Sequence, residues 1–341
     1  MKKKLLIIIA IVLVVAVSVT LIFILKPKEP TPERGEFDYR NYNRRYDNVS
    51  FTVTPIDAEI AGGNDVAAVL HLLSVANSNV IAANYLASAS TGDGSAGSSL
   101  LDMNGTLEFG DIYIRDNGAF YSQSVARITE ATSSSPIDLL GFAQALLDQA
   151  DRKYSADGET FYVQKVKGMS GESRMILDYP YGSAEFSEGA VEQFTLEQYK
   201  EEEYVKEYYN ELSNFVFAED TILPDNVVIT YVDGLYTCNF EVNLVDIAAR
   251  DKATEFSRAN MREASDSDDL QYVLYKVTIE IYDNGLIKKY TKEESWEATL
   301  NLPLGLSPHG SSHSITSVFY SWDPDDCSFE TMGIDTSWIS G

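Results

Sequence analysis

Apolar residues run without a single charge from Leu5 to Leu25, and beyond them the chain alternates between two shorter periods. At 1.5 Å per residue the first run spans roughly 30 Å, the thickness of a bilayer core. It predicts one transmembrane helix. Four later stretches carry a helical period. Val66 to Val75 places Val66, Val69, Leu70, Leu73 and Ala76 on one side, with Asn64 as its expected N-cap. Ser135–Lys153 opens on a capping Ser and Pro136, then sets Leu139, Leu140, Ala143, Leu146, Leu147 and Ala150 on one face. Thr195-Leu196-Glu197-Gln198 reads as a capping box ahead of an aromatic stripe, Tyr199, Tyr204, Val205, Tyr208, Leu212 and Phe215. Asp246–Arg262 is a weaker fourth.

The remaining body alternates with the two-residue period of strands. Thr106–Ile114 and Ala119–Ile128 flank Asp116-Asn117-Gly118, and Val273–Tyr282 and Leu286–Leu300 flank Asp283-Asn284-Gly285. Asn-Gly supplies the positive φ angles of a type I′ hairpin, so both pairs are expected to turn that way. Asp233-Gly234 and Asp157-Gly158 predict two more hairpins. The fold class expected is α+β: curved antiparallel sheet packed against a few amphipathic helices, after a single N-terminal transmembrane helix.

Five regions follow. Residues 1–4 form a basic tip, 5–25 the anchor, and 26–45 a linker with Pro27, Pro30 and Pro32, extended in polyproline fashion. Residues 46–187 and 188–341 each combine helix and meander. They read as two related units or as one continuous domain. Tyr39–Tyr46 mixes Tyr with Arg and reads as a lead-in to the body, with a membrane-proximal contact strip as the alternative. Lys2, Lys3 and Lys4 before the helix keep that end cytoplasmic, so the body faces outward at the surface of a bacterial-type membrane. The run exceeds a cleavable signal's apolar region, and no A-x-A site follows it.

Taken together, the exported anchor, the helix ending in Asn77-Ser78-Asn79, and the strand pair Lys276–Ile287 around Asp283-Asn284-Gly285 resemble the LolA-like lipoprotein group, including its LppX-type members. That resemblance implies a curved antiparallel sheet closed by helices around an apolar cavity that carries lipid or acyl chains. It rests on architecture, and the lipobox Cys of many members is missing: the first Cys is Cys238.

Charge narrows the partners. The chain carries a formal charge of −26, and the three lysines ahead of the anchor lie on the other side, so the exported body is more acidic still. Such a surface repels nucleic acid and anionic headgroups and suits solubility, cations or a basic partner. The two cysteines, Cys238 and Cys327, can pair in an oxidising exterior or act as small buried hydrophobes.

No catalytic signature emerges, and no cofactor motif. Gly92-Asp93-Gly94-Ser95-Ala96-Gly97 fits G-x-G-x-x-G, but no long helix can grow before Gly105, so it reads as a hairpin loop. His309 and His313 stand four apart beside Pro308 and Gly310, which suits a polar loop better than a zinc pair, and His71 reads as a packed helix residue. Asp266, Asp268 and Asp269, and Asp323, Asp325 and Asp326, are weak calcium candidates without EF-hand spacing. Tyr113, Tyr121, Tyr162, Tyr231, Tyr236, Tyr272, Tyr275 and Tyr290 occupy strand positions, either as half-buried structural residues or as a binding face.

The expected function is therefore a membrane-anchored, extracytoplasmic, non-enzymatic binding protein. The specific version holds an apolar ligand in a sheet–helix groove under Leu139, Leu140, Ala143, Leu146 and Leu147. The alternatives are a cell-envelope adhesion module using a Tyr-rich sheet face, and a hydrolase with an unrecognised carboxylate site.

Overall fold

The computed structural model describes residues 44–99, 103–132, 149–167, 190–202, 212–258, 269–299, 307–329 and 336–340. The expected anchor, residues 5–25, lies outside them. Among the described residues no helix is long and apolar enough to cross a membrane.

The strands join into one antiparallel sheet. In chain order they are β1 (Tyr85–Ser98), β2 (Met103–Asp116), β3 (Ala119–Thr132), β4 (Gln149–Ser155), β5 (Thr160–Lys167), β6 (Val191–Thr195), β7 (Val228–Val232), β8 (Leu235–Glu241), β9 (Gln271–Tyr282), β10 (Ile287–Thr299) and β11 (His309–Ser321). Across the sheet the order is β6-β5-β4-β3-β2-β1-β11-β10-β9-β8-β7. Two up-and-down meanders thus meet where the first strand pairs with the last, Ala87 opposite Ser321 through Ser98 opposite Gly310. Strands from both expected units belong to this one sheet.

The turns follow local chemistry. Asn117 and Gly118 have φ of 47° and 97°, and Asp233 and Gly234 have 50° and 78°, so both close two-residue type I′ hairpins. The Asp283-Asn284-Gly285 turn differs from expectation. Only Gly285 has positive φ, at 88°. Its N–H donates to Tyr282 O at 2.8 Å while Tyr282 N–H donates to Leu286 O at 2.9 Å, which makes a three-residue loop. The stretch 92–97 is also corrected: it is no hairpin loop but the middle of β1, paired on both sides. Gly92 is needed because the Phe109 ring crosses β1 there. A Cβ at position 92 would lie 2.1 Å from Phe109 Cε2 and 2.8 Å from Ile315 O.

Five α-helices are described: α1 (Ala58–Ala61), α2 (Val66–Ala82), α3 (Leu196–Glu202), α4 (Ile247–Ala253) and α5 (Pro324–Cys327). The cap of α2 is Asp65, whose Oδ1 accepts from Ala68 N at 2.9 Å. Asn64 instead takes φ 50° and accepts from Ile229 N at 2.6 Å, tying the helix start to the edge strand β7. At the other end Arg115 Nη1 donates to Val80 O at 2.8 Å and Ala83 O at 3.2 Å, a cation on the helix's free carbonyls. Asn79, fully buried, accepts from Thr54 N at 2.7 Å and donates to Thr54 O at 3.0 Å and Gly285 O at 2.8 Å. That one amide pins the lead-in and the β9–β10 turn to α2. The described part of the Tyr/Arg stretch, Arg44–Tyr46, docks as a lead-in: Tyr46 OH bonds Ser321 Oγ at 2.8 Å, and Arg45 Nη1 pairs with Asp283 at 2.5 Å.

The capping box at Thr195 is present in both directions: Gln198 N donates to Thr195 Oγ1 at 3.3 Å and Thr195 N to Gln198 Oε1 at 2.9 Å. The helix it starts does not reach Phe215, which is buried in non-helical chain and stacks on Tyr275 at 3.6 Å. The expected helix Ser135–Lys153 is overturned at its end, because 149–153 belong to β4. Gln149-Ala150-Asp151-Arg152-Lys153 is a mostly polar stretch that follows the apolar face without a period of its own, and here pairing with β3 decides. Residues 135–148 lie outside the described ones.

Successive strand residues point to opposite faces, and each face carries its own core. Leu86 packs with α2, Ile279 and Tyr290; its neighbour Ala87 packs on the other face with Ile114, Tyr121 and Cys327. The cysteines therefore do not pair. Both are buried thiols, Cys238 beneath α2 and Cys327 on the opposite face. Burial pushes the Cys238 thiol up to about 12.

Candidate functional site

Register brings together residues that lie far apart in sequence. One row crosses the α2-side face strand by strand: Lys165, Asp151, Ser124, Asp111 and Ser90 on β5 to β1, then Val318, Tyr290, Ile279 and Cys238 on β11 to β8. The β8–β10 end is core: Cys238 and Ile279 are 0% exposed and Tyr290 2%. The β1–β5 end is hydroxyl, carboxylate, hydroxyl, carboxylate and ammonium, on the same face and with the same alternation.

The polar end is internally ordered. Ser90 Oγ donates to Asp111 Oδ2 at 2.8 Å and accepts from Asp111 N at 3.0 Å. Ser124 Oγ donates to Asp151 Oδ1, and Lys153 Nζ lies 3.2 Å from Asp151 Oδ2. Lys153 belongs to the adjacent row, opposite Ser122. On the far side Lys292 and Glu294 also face α2, between Tyr290 and Trp296 on β10. Lys292 Nζ meets Glu294 Oε1 at 2.9 Å, and Ser314 Oγ reaches the same oxygen at 3.5 Å. Beyond them the tyrosine hydroxyls close a chain: Tyr275 OH bonds Ser213 Oγ at 3.0 Å and Tyr290 OH at 3.3 Å, and Tyr272 OH bonds Ser257 Oγ.

The electrostatics balance lost hydration against neighbouring charge. Asp111 is open to solvent, yet loss of surrounding water raises its pKa, and the Asp151 charge raises it further. The Ser90 hydrogen bond, Lys292 and Lys153 pull the other way. Burial alone would lower Lys292, but Glu294 overrides it and the ammonium is held more firmly charged. Burial also raises Tyr272 to about 12, so its hydroxyl remains a neutral donor. Half-buried Leu107, Phe109 and Tyr113 on β2 border the strip, and Phe120, Phe161 and Tyr199 continue the aromatic edge, with Phe161 and Tyr199 stacked at 4.0 Å.

Such a strip can bind a polar group through several hydrogen bonds. Within it Ser90 and Ser124 direct their protons to carboxylates, and the described histidines lie elsewhere. His71 Nε2 accepts from Asp57 N at 2.8 Å. His309 and His313, expected in a loop, lie on β11 facing away from α2. His313 Nδ1 meets Ser295 Oγ at 2.8 Å, but Glu293 stands 3.9 Å off on an open strand face.

The candidates drawn from sequence are scattered. Leu139, Leu140, Ala143, Leu146 and Leu147, and Asp266 and Asp268, lie outside the described residues. Asp269 accepts from Thr299 N and Oγ1, both at 2.5 Å. Asp323 caps α5, accepting from Asp325 N at 2.9 Å, and pairs with Arg44. Among the described residues no group of three or more His, Cys, Asp or Glu is arranged to hold a metal. Of the strand tyrosines, Tyr121, Tyr236, Tyr272, Tyr275 and Tyr290 are buried, while Tyr231 is exposed. They form no continuous aromatic face. The polar strip was missed because Ser90, Asp111, Ser124 and Asp151 come from four strands; the one local signal was the small inward series Ser88, Ser90, Gly92, Gly94.

No family model matches this chain, and no curated protein matches it.

Proposed function

We propose that this is a membrane-anchored, extracytoplasmic binding protein whose ligand lies on the α2-side face of the sheet, over β1–β4. One observation carries the reading: Ser90, Asp111, Ser124 and Asp151 form a pre-ordered polar strip on the face that is core elsewhere, with Ser90 buried, Ser124 and Asp151 half-buried and Asp111 exposed. The half-buried Leu107, Phe109 and Tyr113 beside it suit an apolar portion, so the ligand favoured is amphiphilic, with hydrogen-bonding groups over Asp111 and Asp151. The apolar groove under Leu139–Leu147 and the kinship with LolA-like proteins remain part of this proposal; one antiparallel sheet with a helix on one face is consistent with both. The uncharged run Leu5–Leu25 behind Lys2–Lys4 supports the anchor and the outward orientation.

The test is extraction of the purified full-length protein followed by mass spectrometry. A stoichiometric amphiphile is expected. Full-length protein that retains none, and takes up none from a mixed lipid and metabolite extract, contradicts the reading.

A further inference from the structure

The face turned away from α2 carries a groove of about 390 Å³, within the range of small-ligand sites. Its floor is the backbone of β8, β9 and β10. Phe240 and Val277 line it, yet both are buried on the α2 side, so they give it main chain. Its walls are polar: Asn239 and Glu241 on β8, Lys276 on β9, Glu293 on β10, and Asn226 from the turn before β7, with exposed Ile315 at the far side.

These groups are arranged as alternating donors and acceptors with capacity to spare. Asn239 accepts from Thr278 Oγ1 at 2.6 Å, which fixes its amide and leaves Nδ2 for a ligand. Asn226 donates Nδ2 to Glu241 Oε2 at 2.9 Å, which leaves its carbonyl. Lys276 and Glu293 face each other at 3.9 Å, too far for a hydrogen bond and close enough for both to touch one bridging group. Across the sheet Glu241, Lys276 and Glu293 are direct partners on adjacent strands. Such positions are roughly 5 Å apart from backbone to backbone, near enough for their side-chain ends to converge on neighbouring hydroxyls of one ring. A hydroxyl both donates and accepts, so a vicinal diol satisfies an ammonium and a carboxylate together. Two carboxylates around one ammonium disfavour phosphate or carboxylate ligands. Ile315 offers an apolar contact for ring C–H groups.

We propose that this groove is a binding site for an uncharged saccharide, separate from the α2-side strip. The site reads pairs of hydroxyls through Asn239, Lys276 and the two glutamates.

The experiment titrates full-length protein with cellotetraose, maltotetraose and the tetramer of N-acetylglucosamine, followed by saturation-transfer NMR and calorimetry. At least one tetramer binds, and Asn239→Ala and Lys276→Ala each weaken it by about tenfold or more. Val273→Ala, exposed on β9 outside the groove, leaves it unchanged. Thermal melting of each variant at the wild-type temperature keeps the comparison clean; Thr278→Val replaces Asn239→Ala if that variant melts early. Binding of none of the three sugars overturns the proposal, as does binding unaffected by both variants. Preferential capture of a polylysine peptide in the same groove overturns it in favour of a basic partner.

Discussion

The two ends of one row, Cys238-Ile279-Tyr290 and Ser90-Asp111-Ser124-Asp151, share a face, a period and a sheet, yet one is apolar and sealed and the other polar and partly exposed. At the first end α2 covers the sheet, and Val69, Leu72 and Ala76 are buried in the core it forms there. At the second, β1 brings Ser88, Ser90, Gly92 and Gly94, too small to build a core, and β2 and β4 bring carboxylates. The opposite face shows the reverse arrangement: β1–β4 are covered there by Cys327 and Phe329, while β8–β10 leave a polar groove. Each half of the sheet thus packs one face against covering elements and leaves the other polar. Alternation alone cannot separate these uses; what covers each half does.

The largest expected effect lies in the sealed half. Leu72→Ala, at a fully buried position against the sheet, should cost about 2–5 kcal/mol by urea unfolding. A loss as small as that of a surface change would mean that α2 is not packed as described.

The turns make a second contrast. Gly285→Ala should cost about 1–3 kcal/mol more than the positive φ alone, because its Cβ would lie 2.5 Å from Thr54 O and 2.9 Å from Asn79 Nδ2. Gly118→Ala, with φ 97° and nothing within 4 Å, should cost about 1 kcal/mol. Equal melting temperatures for the two variants would remove the distinction between a packed turn and a free one.

The smallest effect is the most specific. Asp111 has a raised pKa in the fold, so its neutral form is the favoured one. The stability this brings is present below the ordinary carboxylate range and is lost as pH rises through the folded value. At pH 7 the ionised group is therefore a burden, and Asp111→Asn should raise the melting temperature. The gain is held under about 1 kcal/mol by solvent access, and it should vanish below about pH 4. A variant less stable than wild type at pH 7 would show that Asp111 supports the fold instead.

How much of this was legible depends on distance along the chain. The hairpins at Asn117-Gly118 and Asp233-Gly234 were readable because two residues fix the turn. So was the capping box at Thr195, where three residues suffice. Gly92-x-Gly94-x-x-Gly97 misled because the reason for Gly92 is the ring of Phe109 on the next strand. Gln149–Lys153 misled because a helical run of leucines leads straight into it, and only pairing with β3 makes it a strand. The candidate site was least readable. Positions 90, 111, 124 and 151 are ordinary polar residues each in its own strand, and only the register of four strands sets them in line.

The central claim is that the polar end of the α2-side face is kept for a ligand and not for folding. The direct measurement is the combined variant Ser90→Ala, Asp111→Asn, Asp151→Asn in the full-length protein. It should be assayed in one preparation for urea stability and for the small molecule recovered by mass spectrometry. The account predicts stability within about 1 kcal/mol of wild type and loss of the recovered molecule. Unfolding at much lower urea, as for Leu72→Ala, or recovery of the same molecule in the same amount, would contradict it.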